Sequence, residues 1–188
     1  MNNVSFQGHT TLVFNPQKYN EVLPLTLRTS RNLKPSNHYS IRPNYEYTSN
    51  SLDNNMIVLV RNENTGFLKF VPITNNNEKI LNEISSKVEE IIKMSKNKME
   101  KLTAWIIGGN SIDSKSGSLM IKTLNKIADI LCDNPNIDTS ILAGSKKIEE
   151  NIVIHPSRKN FEIFLEKEKG TNLEDVFDIV ELNNTDII

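Results

Sequence analysis

The stretch that most constrains this chain is residues 102–107 (LTAWII), an apolar run that stops at Gly108-Gly109. The run holds the only tryptophan, Trp105, and is too short for a helix of its own, so it reads as a buried strand. A glycine pair directly after a buried strand suits a turn that needs positive φ or a close backbone approach. Beyond a polar loop, Ser116 or Ser118 can cap a helix whose apolar residues Met120, Leu124, Ile127, Ala128 and Leu131 recur at helical spacing. Strand, glycine turn and amphipathic helix in this order predict an α/β domain. The glycines match neither phosphate-binding pattern: no third glycine follows at dinucleotide spacing, and no Gly-Lys-Ser/Thr follows as in a P-loop.

The rest of the chain fits around this unit. Residues 56–60 (MIVLV) form the strongest strand signal, and after the turn residues 61–66 (RNENTG) the run 67–73 (FLKFVPI) returns as its antiparallel partner. A first helix is expected over 78–96, with Ile80, Ile84, Val88 and Ile91 on one stripe, and the second over 117–132. Residues 137–143 read as a further strand ending at Gly144, and 151–155 with 161–166 as a hairpin. Near the N-terminus, 10–14 and 21–27 are candidate strands, with Pro24 confining the second to an edge or a bend. Residues 28–47 set Arg28, Arg31, Lys34 and Arg42 among Tyr39, Tyr45 and Tyr47, and Pro35 and Pro43 forbid a long helix, so an irregular loop over the core is expected.

The expected fold class is α/β, with α+β layering: one domain with a mixed, largely antiparallel sheet and two main amphipathic helices. Residues 1–48 belong to it as N-terminal strands and a basic, aromatic loop, 49–168 form the core, and 169–188 an acidic amphipathic tail. Leu173, Val176, Phe177 and Val180 share one helical stripe of that tail, which is expected to dock on the body or on a partner while contributing little to the core.

Composition limits the chemistry. The 188 residues suit one domain, and a net charge of −1 with well-mixed signs offers no field for nucleic acid or an anionic membrane. One cysteine, Cys132, excludes an internal disulfide and a multi-cysteine metal site. His9, His38 and His155 show no ligand spacing with one another or with Cys132, so neither a metal nor a cofactor is expected. The start of the sequence lacks signal-peptide features and no apolar run approaches about 18 residues, which predicts a soluble, cytoplasmic protein without membrane insertion.

From residue 49 to 166 the order of elements, and in particular Ile106-Ile107-Gly108-Gly109, resembles the bacterial chemoreceptor glutamine deamidases of the CheD family. In that family a Thr-x-Gly-Leu-Gly-Ser-Cys segment enters a strand and a Gly-Gly-x-x-His strand returns, the cysteine serving as nucleophile and the histidine as its base. The corresponding segments here read 49–55 (SNSLDNN) and 65–72 (TGFLKFVP). The resemblance therefore puts Asn55 at the nucleophile position, Lys69 at the histidine position, and Ser49 near the helping threonine. An asparagine amide is no nucleophile, so the resemblance implies a deamidase fold without deamidase chemistry.

The resulting expectation is a non-catalytic, protein-binding adaptor that docks a helix or peptide of a partner in a larger bacterial complex, such as a chemotaxis or secretion assembly. Its binding residues would be Ser49, Asn54, Asn55 and Lys69, where side-chain amides and an ammonium can hydrogen-bond a peptide backbone or a carboxylate. The rival is a glutamine deamidase that uses Cys132, with His155 as its conceivable base, or another site. Cys132 ends a helix, however, where the dipole favours the neutral thiol. Nucleic-acid binding through residues 28–47 ranks last.

Overall fold

The computed structural model describes residues 9–13, 30–32, 39–41, 46–49, 55–64, 68–74, 86, 89, 93, 100–146, 152–156, 160–165 and 172–187. In chain order the elements are β1 (His9–Val13), β2 (Ser30–Asn32), β3 (Tyr39–Ile41), β4 (Glu46–Ser49), β5 (Asn55–Asn62), β6 (Leu68–Thr74), β7 (Leu102–Asn110), α1 (Gly117–Cys132), β8 (Ile137–Ser145), β9 (Ile152–Pro156), β10 (Asn160–Leu165), α2 (Leu173–Val176), β11 (Phe177–Glu181) and β12 (Thr185–Ile187). The expected strand at 21–27 lies outside the described residues. Of the helix expected over 78–96, only Ser86, Glu89 and Lys93 are described; all three are helical and exposed, and Lys93 Nζ lies 3.5 Å from Glu89 Oε2.

Two sheets form where one was expected. The central sheet has the order β11-β8-β7-β5-β6-β3, and the second has the order β12-β1-β10-β9-β4-β2. The reason lies in the period-two geometry of the apolar runs. In β5, Ile57 and Leu59 face one side of the sheet, and Met56, Val58 and Val60 the other. In β7, Trp105 and Ile107 share the first face, and Ala104 and Ile106 the second. Both faces are apolar, so both must be covered. Leu12 of β1 and Ile163 and Leu165 of β10 bring the second sheet against one face. Met120, Leu124, Ile127 and Leu131 bring α1 against the other. The layers are thus sheet, sheet and helix, a mixed α/β arrangement.

The β7–α1–β8 unit has the order read from the sequence, and β7 pairs with β8 in parallel, as a helical crossover allows. β5 pairs antiparallel with both β6 and β7. The hairpin of β9 and β10 also forms. Residues 28–47 depart from the expected irregular loop. Their described parts are ladder strands in two different sheets: β2 and β4 pair in the second sheet, and Tyr39 of β3 sits opposite Phe70 at the edge of the central one. No helix among the described residues is long and apolar enough to cross a membrane.

The acidic tail departs further. Among its described residues only Leu173–Val176 are helical, a single turn in which Asp175 Oδ2 accepts from Asn172 N at 3.2 Å. The chain then runs along β8 as β11, turns at Asn183 and Asn184, and joins β1 of the second sheet as β12. The corner is clamped to β8. Asn183 N donates to Ser140 Oγ at 3.0 Å, Asn183 Nδ2 donates to Thr139 O at 2.5 Å, and Asn184 donates to the Asp138 carboxylate. Leu173, Val176 and Phe177 are buried in the core between the sheets. The segment therefore closes one side of the sandwich and is an integral part of the fold. Phe177→Ala is expected to lower stability by about 3 to 5 kcal/mol, the usual cost of emptying a buried aromatic site. Urea unfolding followed by tryptophan fluorescence checks this, and a loss below about 1 kcal/mol would show the tail to be peripheral.

Candidate functional site

The β5–β6 register decides where the sequence-derived site residues fall. Asn55 is the first residue of β5, half-buried, with Thr74 as its partner on β6. Lys69 is partnered by Val60 and by Ser40. Lys69 thus lies five residues along β6 from Thr74, about 17 Å at roughly 3.4 Å per residue. The two also belong to opposite faces, since Asn55 has the parity of Ile57 and Leu59, and Lys69 that of Val71 and Ile73. Ser49 ends β4 in the second sheet, opposite Ile152. Asn54 lies outside the described residues. The hairpin therefore does not gather Ser49, Asn55 and Lys69 into one cleft.

Asn55 does gain company at its own end of the sheet. Met56 pairs with Gly108, Gly108 with Ala143, and Ile179 with Ala143. One step further along each strand, Asn55, Gly109, Gly144 and Asp178 form a row across β5, β7, β8 and β11. The row lies at the carboxyl ends of the parallel pair β7 and β8, the place where open α/β sheets bind ligands. Its two central positions must be glycine. Gly109 has φ 86° and a Cβ there would lie 2.7 Å from Met120 Cγ, so it is what lets α1 approach the sheet. Gly144 has φ 73° and a Cβ there would lie 2.8 Å from Asp178 Oδ2.

The loop from β7 to α1 stands over this row. Ser116 precedes the helix as expected, but its hydroxyl accepts from the Asn110 side chain and makes no cap bond of its own. Ser114 N donates to Ser111 O and Gly117 N to Ser114 O, each at 2.9 Å, so the loop is closed by consecutive turns. At its tip Ile112 N donates to Asp178 Oδ2 at 2.8 Å, while the Ile112 side chain is 40% exposed. Lys146 Nζ lies 3.8 Å from Asp178 Oδ1 and donates to Glu174 O at 2.5 Å. The groups assembled are amides, a compensated carboxylate and an apolar side chain held outward. These can grip a polypeptide by hydrogen bonds and apolar contact.

A second polar cluster sits at the other end of β5. Arg61 is 1% exposed and Glu63 8%, with Arg61 Nη1 3.9 Å from Glu63 Oε2. Thr103 Oγ1 donates to Glu63 Oε1 at 2.6 Å, and Asn62 Nδ2 donates to Glu100 Oε2 at 2.6 Å. Burial lowers the pKa of the Arg61 guanidinium from its ordinary value, and the Glu63 carboxylate works in the opposite direction. Among the described residues, neither Glu63 Oε2 nor the indole Nε1 of fully buried Trp105 has a hydrogen-bond partner. Nothing in the turn-like string 61–66 marked Arg61 and Glu63 as buried.

The proposed thiol chemistry finds no support in the geometry. Cys132 is exposed at the end of α1, on the far side of the central sheet from the second sheet, whereas His155 belongs to β9 of that second sheet. A whole sheet layer separates the two, about 10 Å of packing at least. Among the described residues, no three His, Cys, Asp or Glu side chains come together as a metal site would require. No protein-family model matches the sequence, and no curated protein is significantly similar to it.

Asp178 escaped the sequence reading because the tail fits a helical stripe. The β-branched residues of Val176-Phe177-Asp178-Ile179-Val180 were the available sign of a strand. For the buried ion pair, Glu63→Gln removes the charge facing Arg61 and is expected to cost about 3 kcal/mol, the lower end for breaking a buried pair, because Thr103 can still donate to the remaining oxygen. Replacing both, as Arg61→Met with Glu63→Leu, is expected to recover part of that loss. Chemical denaturation of the two variants measures the difference.

Proposed function

We propose that the chain is a protein-binding module, an adaptor that docks a helix or peptide of a partner at the Asn55–Gly109–Gly144–Asp178 end of the central sheet. The observation that carries this reading is Ile112, which is 40% exposed on a loop closed by its own turns and held at its tip by Asp178. An apolar side chain fixed outward on a braced loop loses little conformational freedom on binding, and it can act as the anchor of a small interface. Lys146 and the turn serines supply polar groups beside it, with Asn55 three strands further along the row. The likeness of the β5–β7 region to receptor-gripping deamidases supports the same reading, since a helix-holding groove can outlive its nucleophile. Lys69, at the opposite end of β6, has no part in it.

Capture of partners from a lysate of the source organism, followed by titration calorimetry with the protein identified, tests the assignment. Ile112→Asp is expected to weaken binding by about 30-fold or more, the effect of losing an interface anchor, with the melting temperature unchanged. Asn55→Arg should weaken it less, and Lys69→Glu should leave it as it is. Full affinity in a folded Ile112→Asp variant, or a loss confined to Lys69→Glu, would place the docking surface elsewhere.

A further inference from the structure

Asp178 joins three segments that are distant in the chain. Its Oδ2 accepts from Ile112 N at 2.8 Å in the β7–α1 loop, and its Oδ1 lies 3.8 Å from Lys146 Nζ just beyond β8. Lys146 is bound to the C-terminal segment twice more, its Nζ donating to Glu174 O at 2.5 Å and its N to Val176 O at 2.9 Å. The contact has a counterpart in the sequence of β8, because a Cβ at Gly144 would come within 2.8 Å of the carboxylate and only glycine leaves room for it. Within the loop, the turn bonds use Ser114 N and Gly117 N, so the amide at the tip, Ile112 N, is held by Asp178. A hydrogen bond to an ionised acceptor is also stronger than one between neutral groups.

We propose that Asp178 is a latch by which the C-terminal strand controls the β7–α1 loop, so that Ile112 is held in its docking position only while β11 is seated on β8. This rests on the docking reading above and adds to it a means of regulation. β11 is the outermost strand of the central sheet, and beyond the buried Phe177 its residues are only partly buried or exposed, so this outer part can open at lower free energy than the central strands. Whatever unseats β11 withdraws the acceptor from Ile112 N and lets the loop leave its binding-competent position. Apparent affinity then falls in proportion to the competent fraction. Asp178 is a positioning residue in this scheme, acting on a partner through Ile112.

Amide hydrogen exchange of the full chain, read by NMR, tests the latch without any partner. In Asp178→Ala the Ile112 amide is expected to exchange about tenfold faster or more, while the Ile106 and Ile107 amides in the middle of β7 keep their rates. Asp178→Asn, which keeps the shape and loses the charge, should fall between. Gly144→Ala, which crowds the carboxylate but also strains the backbone at φ 73°, should act in the same direction with some loss of stability. An unchanged Ile112 rate in Asp178→Ala would overturn the proposal, as would an equal acceleration at Ile106 and Ile107, which would mean a general loss of stability. With the captured partner, Asp178→Ala should weaken binding about tenfold, and unchanged affinity with a freed loop would also overturn it. If Ile112→Asp leaves affinity intact, the docking reading falls, and the exchange rates still decide the latch.

Discussion

The structure depends on the central strands β5 and β7 being apolar on both faces. A strand of this kind cannot lie at a surface, because each face would leave several branched side chains in water, at about 1.5 to 3 kcal/mol apiece. The two faces are covered in different ways. α1 covers the β7–β8 region on one side, with Met120 and Ile127 fully buried against it. The second sheet covers the other, through Leu12, Ile163 and Leu165. Each sheet draws strands from both chain ends: β1, β2, β4 and β12 in one, β3 and β11 in the other.

That interleaving makes the C-terminal segment a structural element and places it beside the candidate site. β11 extends the central sheet at the edge nearest β8, and β12 extends the second sheet beside β1. The crossing between them is made by Asn183 and Asn184, whose side chains bond to β8. Asn184 adopts φ 46°, a left-handed conformation that asparagine tolerates better than most residues. The row of Asn55, Gly109, Gly144 and Asp178 is a product of this closure: β11 brings its carboxylate to a position prepared by a glycine on the neighbouring strand.

The two polar ends of the sandwich differ in kind. At the glycine end, Asp178 and Lys146 are partly open to solvent, 14% and 42% exposed, and their pairing contributes little to stability once screening is counted. At the other end Arg61 and Glu63 are withdrawn from water, and the desolvation of both offsets much of their attraction. A pair of that sort adds little net stability over an apolar pair of equal volume. It does penalise any register of β5 that would separate Arg61 from Glu63 and Thr103.

Much of the secondary structure was legible in the sequence, because it follows from local periodicity. The 102–107 run gave the body of β7, but the strand does not stop at the glycine pair: it continues through Gly108 and Gly109 to Asn110, because Gly108 and Asn110 keep their places in the ladder with β8. The stripe of Met120, Leu124, Ile127 and Leu131 gave α1 at its full length. The 56–60 and 67–73 runs gave the β5–β6 hairpin. Periodicity says that a face is apolar and is silent about what covers it, so the second sheet was not foreseen, nor were the short strands within 28–47 that rely on partners far along the chain. The tail illustrates the ambiguity, since Leu173, Val176, Phe177 and Val180 satisfy a helical stripe, and only pairing with β8 and β1 makes 177–181 and 185–187 extended. The site divides in the same way. Residue type alone determined that Asn55 cannot be a nucleophile. Tertiary structure decided that Lys69 lies at the far end of the hairpin and that Asp178 stands in the glycine row, because strand register depends on turn geometry and on which face each sheet must bury.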